Sequence, residues 1–234
     1  MNTVLAPTIS RPPQSVLHIA DGSLEFLKWI ALVLMTGDHI NAYLFDWRYS
    51  TLYDAGRLVM PIFGFVLAYN LARPNCTQEV MNRIIKRLLG YGLLAAPAYL
   101  QLHGFWPFNI LITFALFVFI VRCLQLPQQR YTVLALAVFA LGGLFVEFWW
   151  FGLAFCLASW WFCKSPHWLS GLAMLSAAAS LAIVNHNYYA LLALPLLIGA
   201  TRIEIRIPRL QRWFYLYYPA HLTTLVAAGV LIDR

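Results

Sequence analysis

Lys28, Asp38, His39 and Arg57 stand inside two stretches, Leu24–Leu44 and Thr51–Ala72, that are otherwise apolar enough for a membrane. A charge in hydrocarbon costs about 2.5–3.5 kcal/mol even on the lenient insertion scale, so such residues bring a partner, a water-filled cavity or a use. His39 is the side chain of this set that can accept a proton near neutral pH, which makes it the candidate base. Asp38 can pair with Arg57 and leave the imidazole free; Asp54, one helical turn from Arg57, is a second possible partner. The opposing reading is structural: an Asp38–Arg57 pair that sets helix register, with His39 an interfacial histidine.

These residues require two helices. If both stretches are helical, Lys28 and His39, eleven positions apart, project from one face at different depths. Arg57 lies about as far beyond the intervening turn as His39 lies before it, so the two can face each other across a hairpin. Further polar residues fall in later apolar stretches. Asn109 and Thr113 stand one turn apart in FNILITF, and Tyr217 and His221 share a face beside Pro219. Each pair lines the same cavity or bonds a neighbouring helix. His103, His167 and His186 fall in connections or at segment ends and take structural roles by default.

Composition sets the class. Of 234 residues, 62% are hydrophobic and 11% charged, against about 25% charged in soluble domains. The expectation is one all-α polytopic membrane domain over 23–234, behind a flexible cytoplasmic tail of residues 1–22. After the first two spans come Ile84–Leu100, Pro107–Leu124, Tyr131–Phe145, Trp149–Cys163, Trp168–Val184, Tyr188–Ala200 and Trp213–Ile232. The count is about nine, or eight or ten if short segments re-enter. Connections around 73–87, 122–130, Lys164 and 202–212 are basic, whereas the turns near Gln101–Trp106, Glu147 and Asn185–Asn187 carry no cation. The alternation places the N-terminus in the cytoplasm and the C-terminus in the periplasm.

The formal net charge of +7 is therefore a topology signal, with no basic–aromatic stripe for nucleic acid. The four cysteines show no ligand spacing and the histidines no carboxylate at metal-binding distance in sequence, so no metal is expected. Walker, GxGxxG and GxSxG patterns do not occur.

LKWIALVLMTGDHI (27–40), GRLVMPIF (56–63), NILITF (109–114) and YYPAHL (217–222) resemble, in order, the signature blocks of the TraX family of inner-membrane proteins. The resemblance implies conjugative pilin maturation: N-acetylation of the pilin N-terminus with acetyl-CoA as donor. In the wider set of transmembrane acyltransferases an early helix bears a basic residue and a histidine at this spacing; here Lys28 and His39 reproduce it, with lysine for arginine. Lys28 and the basic inner loops would then attract the donor's phosphates, and Asp38 would orient His39. Arg57 or Asn109 would stabilise the oxyanion. One rival keeps the enzyme but transfers a phospholipid-derived group such as phosphoglycerol, with membrane lipid as donor. Another makes the chain a pilus-assembly scaffold or small-solute transporter. Oligomeric state is not legible.

Overall fold

Pro61 cannot donate a backbone hydrogen bond to the carbonyl of Arg57, so a single helix through 51–72 is interrupted at the residue the sequence marks as functional. The computed structural model describes residues 17–208 and 210–232. It has helix α2 (Ser50–Gly56), then Arg57 and Leu58, then α3 (Val59–Ala72). α1 (Asp21–Tyr43) precedes them across a turn in which Asp46 and Trp47 hold positive φ. α4 (Gln78–His103) begins at Thr77, whose hydroxyl accepts the Val80 amide, and α5 (Ile110–Leu124) begins at Asn109. α6 (Gln129–Gly142), α7 (Trp149–Lys164), α8 (Trp168–Ser180) and α9 (Ala182–Asn185) follow. A short 3₁₀ turn (Tyr189–Leu192), α10 (Ala193–Ala200) and α11 (Gln211–Ile232) complete the chain.

Each of the nine apolar stretches is thus built on helix, three of them in two pieces. Among the described residues, two continuous runs are by length and composition apolar enough to cross a membrane, Ser50–Ala72 and Trp168–Asn185. Residues 1–16 of the expected tail lie outside the described residues. Ile19 is buried, with its amide donating to the Tyr69 hydroxyl at 2.8 Å.

α3 packs on α7, α4 lies between α5 and α11, and α1 leans on α2 and α3. The core between them is formed by side chains such as Ile62, Phe117, Ile120, Leu153 and Phe155. The core is mostly apolar, yet it also takes in charged and polar side chains, and large apolar side chains stand outside it. Glu25, Asp38, Asn41 and His221 are buried, while Leu93, Leu136, Leu141 and Leu231 are each more than 60% exposed. α6 buries Ala135 alone of its fourteen residues, so its apolar surface faces outward.

Two connections are stitched together at one end of the bundle. The Phe108 amide donates to the Phe145 carbonyl at 2.7 Å and the Glu147 amide to the Phe108 carbonyl at 2.9 Å. These bonds form an isolated parallel bridge between Phe108 and Val146. Phe148 and Trp149 then take left-handed backbone conformations, turning the chain sharply into α7. The stitch fixes Glu147 against the start of α5.

Candidate active site

Successive residues on a helix point about 100° apart, so α1 aims Asp38 and His39 at different neighbours. Asp38 faces the interrupted helix: its Oδ2 accepts from Arg57 Nη2 at 2.7 Å. Arg57 is held further by its Nε donating to the Tyr53 carbonyl at 3.0 Å, with the guanidinium 4.1 Å from the Tyr53 ring centroid. The close approach depends on Gly56, where an added Cβ would lie 2.4 Å from Asp38 Cγ. The other carboxylate oxygen, Oδ1, is buried without a hydrogen-bond partner among the described residues.

His39 turns toward α11. Its Nδ1 lies 2.7 Å from Nε2 of His221, and the rings are 9° from parallel with centroids 5.0 Å apart. That separation is the one expected of an in-plane N–H···N bond between two imidazoles. The network assigns the proton. His221 Nδ1 lies 3.1 Å from the Tyr217 carbonyl, an acceptor only, so Nδ1 of His221 carries hydrogen and its Nε2 is a lone pair. His39 must then donate from Nδ1, which leaves its own Nε2 unprotonated. His39 lines the cavity described below, whereas His221 does not. His221 therefore stands behind His39 and fixes its tautomer, the part expected of Asp38. Asp38 cannot fill it because it points to Arg57.

α1, α3, α4, α5, α11 and the Glu147 connection enclose a cavity of ≈ 610 Å³. Lys28 and His39 both line it, so it extends along α1 for about 16 Å at 1.5 Å per residue. Arg73, Arg83 and Arg87 line it beside Lys28; Asp38, Arg57, Tyr43, His103 and Glu147 line it beside His39. Arg83 and Arg87, one turn apart on α4, have no ion-pair partner among the described residues. One end is thus a cluster of cations and the other a mixed set of acid and base groups. That arrangement suits a long ligand with an anionic head and a reacting tail.

Lys28 lines the cavity while bonded to Glu25 at 2.6 Å and 4.4 Å from the Phe214 ring centroid. Asp54 bonds Asn187, not the guanidinium. Asn109 and Thr113 do not reach the cavity. Asn109 caps α5 through the Leu111 amide and donates to the Gly92 carbonyl; Thr113 donates to the Glu147 carbonyl. Both are spent on backbone, so neither reaches an oxyanion. Tyr217 likewise faces α1, its hydroxyl 2.7 Å from Thr36 Oγ1. Thr36 already donates to the Leu32 carbonyl, so Tyr217 is the donor of that bond. Tyr217 and His221 together fasten α11 to α1.

Two cavity residues had been assigned no functional part. His103 stacks on Tyr99 with ring centroids 4.4 Å apart, and the Tyr43 hydroxyl contacts its ring. Glu147 is half-buried and opens on the cavity. Its signal was faint: a lone acid in an apolar turn.

An all-helical bundle with an apolar exterior and a buried His–His, Asp–Arg cluster defines the class. The chain belongs to the TraX family, whose model, described as TraX protein, matches residues 23–228. A protein named Protein TraX from Escherichia coli is 34% identical over 132 residues, 56% of this chain and 51% of that protein. Protein TraX of Escherichia coli strain K12 is 31% identical with the same coverage. A probable fimbrial assembly protein FimC, serogroup H1, from Dichelobacter nodosus is 35% identical over 89 residues, 36% of this chain and 34% of that protein. The chain spans about half the length of the TraX relatives it matches. No solved structure matches it.

Proposed function

We propose that this chain is a multi-pass inner-membrane transferase that modifies pilin during pilus maturation, N-acetylating the pilin N-terminus with acetyl-CoA. The observation that carries the reading is the unprotonated His39 Nε2, held on the cavity by His221. General base catalysis needs a fixed lone pair screened from water. Membership of the TraX family and the likeness to a fimbrial assembly protein supply the pilus context.

The outward leucines and buried charges support the membrane reading. About nine spans, with basic connections on the cytoplasmic side, place Lys28, Arg73, Arg83 and Arg87 at the inner end. These cations receive the donor's phosphates, and the pantetheine arm extends along the cavity toward His39. The amine nitrogen attacks the acetyl carbonyl of the thioester and His39 Nε2 takes its proton; the C–S bond then breaks, and that proton goes to the departing CoA thiolate. Arg57, whose Nη2 is bound to Asp38, stabilises the negative oxygen through its remaining charge and donors.

Intact-mass measurement of pilin tests the reading. Cells with the gene yield pilin heavier by one acetyl group; deletion and His39→Ala, at unchanged protein level, yield the lighter form. A mass gain of one phosphoglycerol group would replace acetyl-CoA by a phospholipid donor, with Arg57 serving the phosphate. An unchanged mass on deletion would leave a scaffold or transporter.

A further inference from the structure

Asp38 is committed to Arg57, but the cavity holds a second carboxylate. Glu147 has no Lys, Arg or His within ion-pair distance among the described residues. Its backbone is immobilised on both sides: the amide donates to the Phe108 carbonyl and the carbonyl accepts from Thr113 Oγ1. The side chain faces the Ile110 amide at the start of α5. Tyr43, Tyr99 and Tyr218 line the same cavity as Glu147. A carboxylate that shares a cavity with aromatic rings and has no ion-pair partner among the described residues is a site for a small organic cation: the carboxylate supplies charge and the rings supply π faces.

Resting on the transferase reading above, we propose that Glu147 is the counter-ion and first proton acceptor for a primary ammonium, and so selects an amine acceptor over a hydroxyl. An α-ammonium has no lone pair and cannot attack a carbonyl. One proton passes from R–NH₃⁺ to the Glu147 carboxylate, giving R–NH₂ and a neutral carboxyl; no other bond changes. The proton later passes from the carboxyl to water. His39 Nε2 is then reserved for the second proton, released as the nitrogen bonds to carbon. Burial raises the Glu147 carboxyl to about 7, opposed by the Ile110 amide and Arg57, which suits an acceptor for an amine proton. A purely structural role as a helix cap would need only an oxygen at Ile110, and Asn109 already serves the next amide at Leu111.

Calorimetric titration of the full chain in dodecyl maltoside micelles at pH 7.5 tests this with three probes. They are an alanine tetrapeptide amide with a free α-amine, its N-acetylated form, and its α-hydroxy analogue. The wild type binds the free amine at least about 30-fold more tightly than either analogue, the lower end for a buried charge pair. Glu147→Gln keeps an oxygen for Ile110 and binds all three alike. Equal affinities in the wild type, or a preference that survives in E147Q, would overturn the assignment. The wild-type comparison needs no variant, so it decides even if E147Q fails to fold. Amine selectivity is measured without any transfer step, whereas an unaltered pilin mass overturns the transferase reading alone.

Discussion

His39 and His221 lie in one plane with Nδ1 and Nε2 2.7 Å apart, although 182 residues separate them. The bond joins the first and last helices of the described chain and decides which nitrogen of His39 faces the cavity. Its direction follows from the Tyr217 carbonyl behind His221, because a carbonyl can only accept.

Replacing His221 tests that direction. His221→Phe removes the acceptor and strands a buried His39 Nδ1–H, at a cost of about 1–3 kcal/mol. On the proposed function, transfer onto pilin falls about 10²-fold in kcat with little change in KM for the donor. His221→Asn, whose amide oxygen can accept in place of Nε2, recovers part of the loss. Equal activity in H221F and wild type would mean the tautomer is set elsewhere.

Gly56 tests the approach of α1 to the interrupted helix. Gly56→Ala places a methyl 2.4 Å from Asp38 Cγ, so the Asp38–Arg57 pair must open and the unfolding free energy falls by about 1–3 kcal/mol. Gly90→Ala is the control: nothing lies within 4 Å of its added Cβ, and alanine is about 1 kcal/mol better than glycine inside a helix. A G56A protein as stable as G90A would show that the contact yields without cost.

Much of this arrangement was visible in the residues alone, for a physical reason. Asp38, His39 and Arg57 are conspicuous because charge inside an apolar run is expensive. Fixed helical geometry then carries them to one depth. The second stretch reads by composition as one span, and the structure divides it into α2 and α3 ahead of Pro61. Glu147 and His103 were not legible as site residues. Glu147 is held at the cavity by the bonds that join Phe108 to Phe145 and to Glu147, across connections 37 positions apart, and His103 stands there as the last residue of α4. Tyr217 and His221 do share a face, but periodicity cannot tell which neighbour that face meets. Asn109 carried a readable signal that points away from catalysis: an asparagine directly before an apolar run is an N-cap pattern.

The Asp38–Arg57 pair is nearly buried, its side chains 12% and 14% exposed. Removing one partner strands a charge and costs about 3 kcal/mol or more. Asp38→Asn and Arg57→Gln therefore each lower stability, and the double variant is less destabilised than the sum of the two. Arg57→Lys keeps the charge but cannot hold Asp38 and the Tyr53 carbonyl at once as the guanidinium does, so activity falls while stability stays near wild type. Urea unfolding of all five proteins completes the cycle. Strict additivity would deny the coupling that the 2.7 Å contact implies.

Glu147 gives the stability a pH dependence of definite sign. Its carboxyl titrates at about 7 in the folded chain, above the model-compound value of 4.5. The folded state therefore binds a proton that the unfolded chain has released. The stabilisation is complete below the unfolded value and is lost as pH rises through the folded one, at most ~3.4 kcal/mol between pH 4.5 and 7 from about 1.36 kcal/mol per unit. Asp38 and Arg57 face the same carboxyl with opposite effects, and Arg57 stays charged throughout. Glu147→Gln is neutral at every pH and lacks this loss, so its stability relative to wild type is greater at pH 8 than at pH 5. Denaturation in micelles at the two pH values measures the difference. An ammonium ligand favours the charged carboxylate, so adding the free-amine peptide narrows the gap at pH 8. Parallel wild-type and E147Q profiles across this window would mean that the carboxyl is solvated in the folded chain, and Glu147 would then be a poor acceptor for an amine proton.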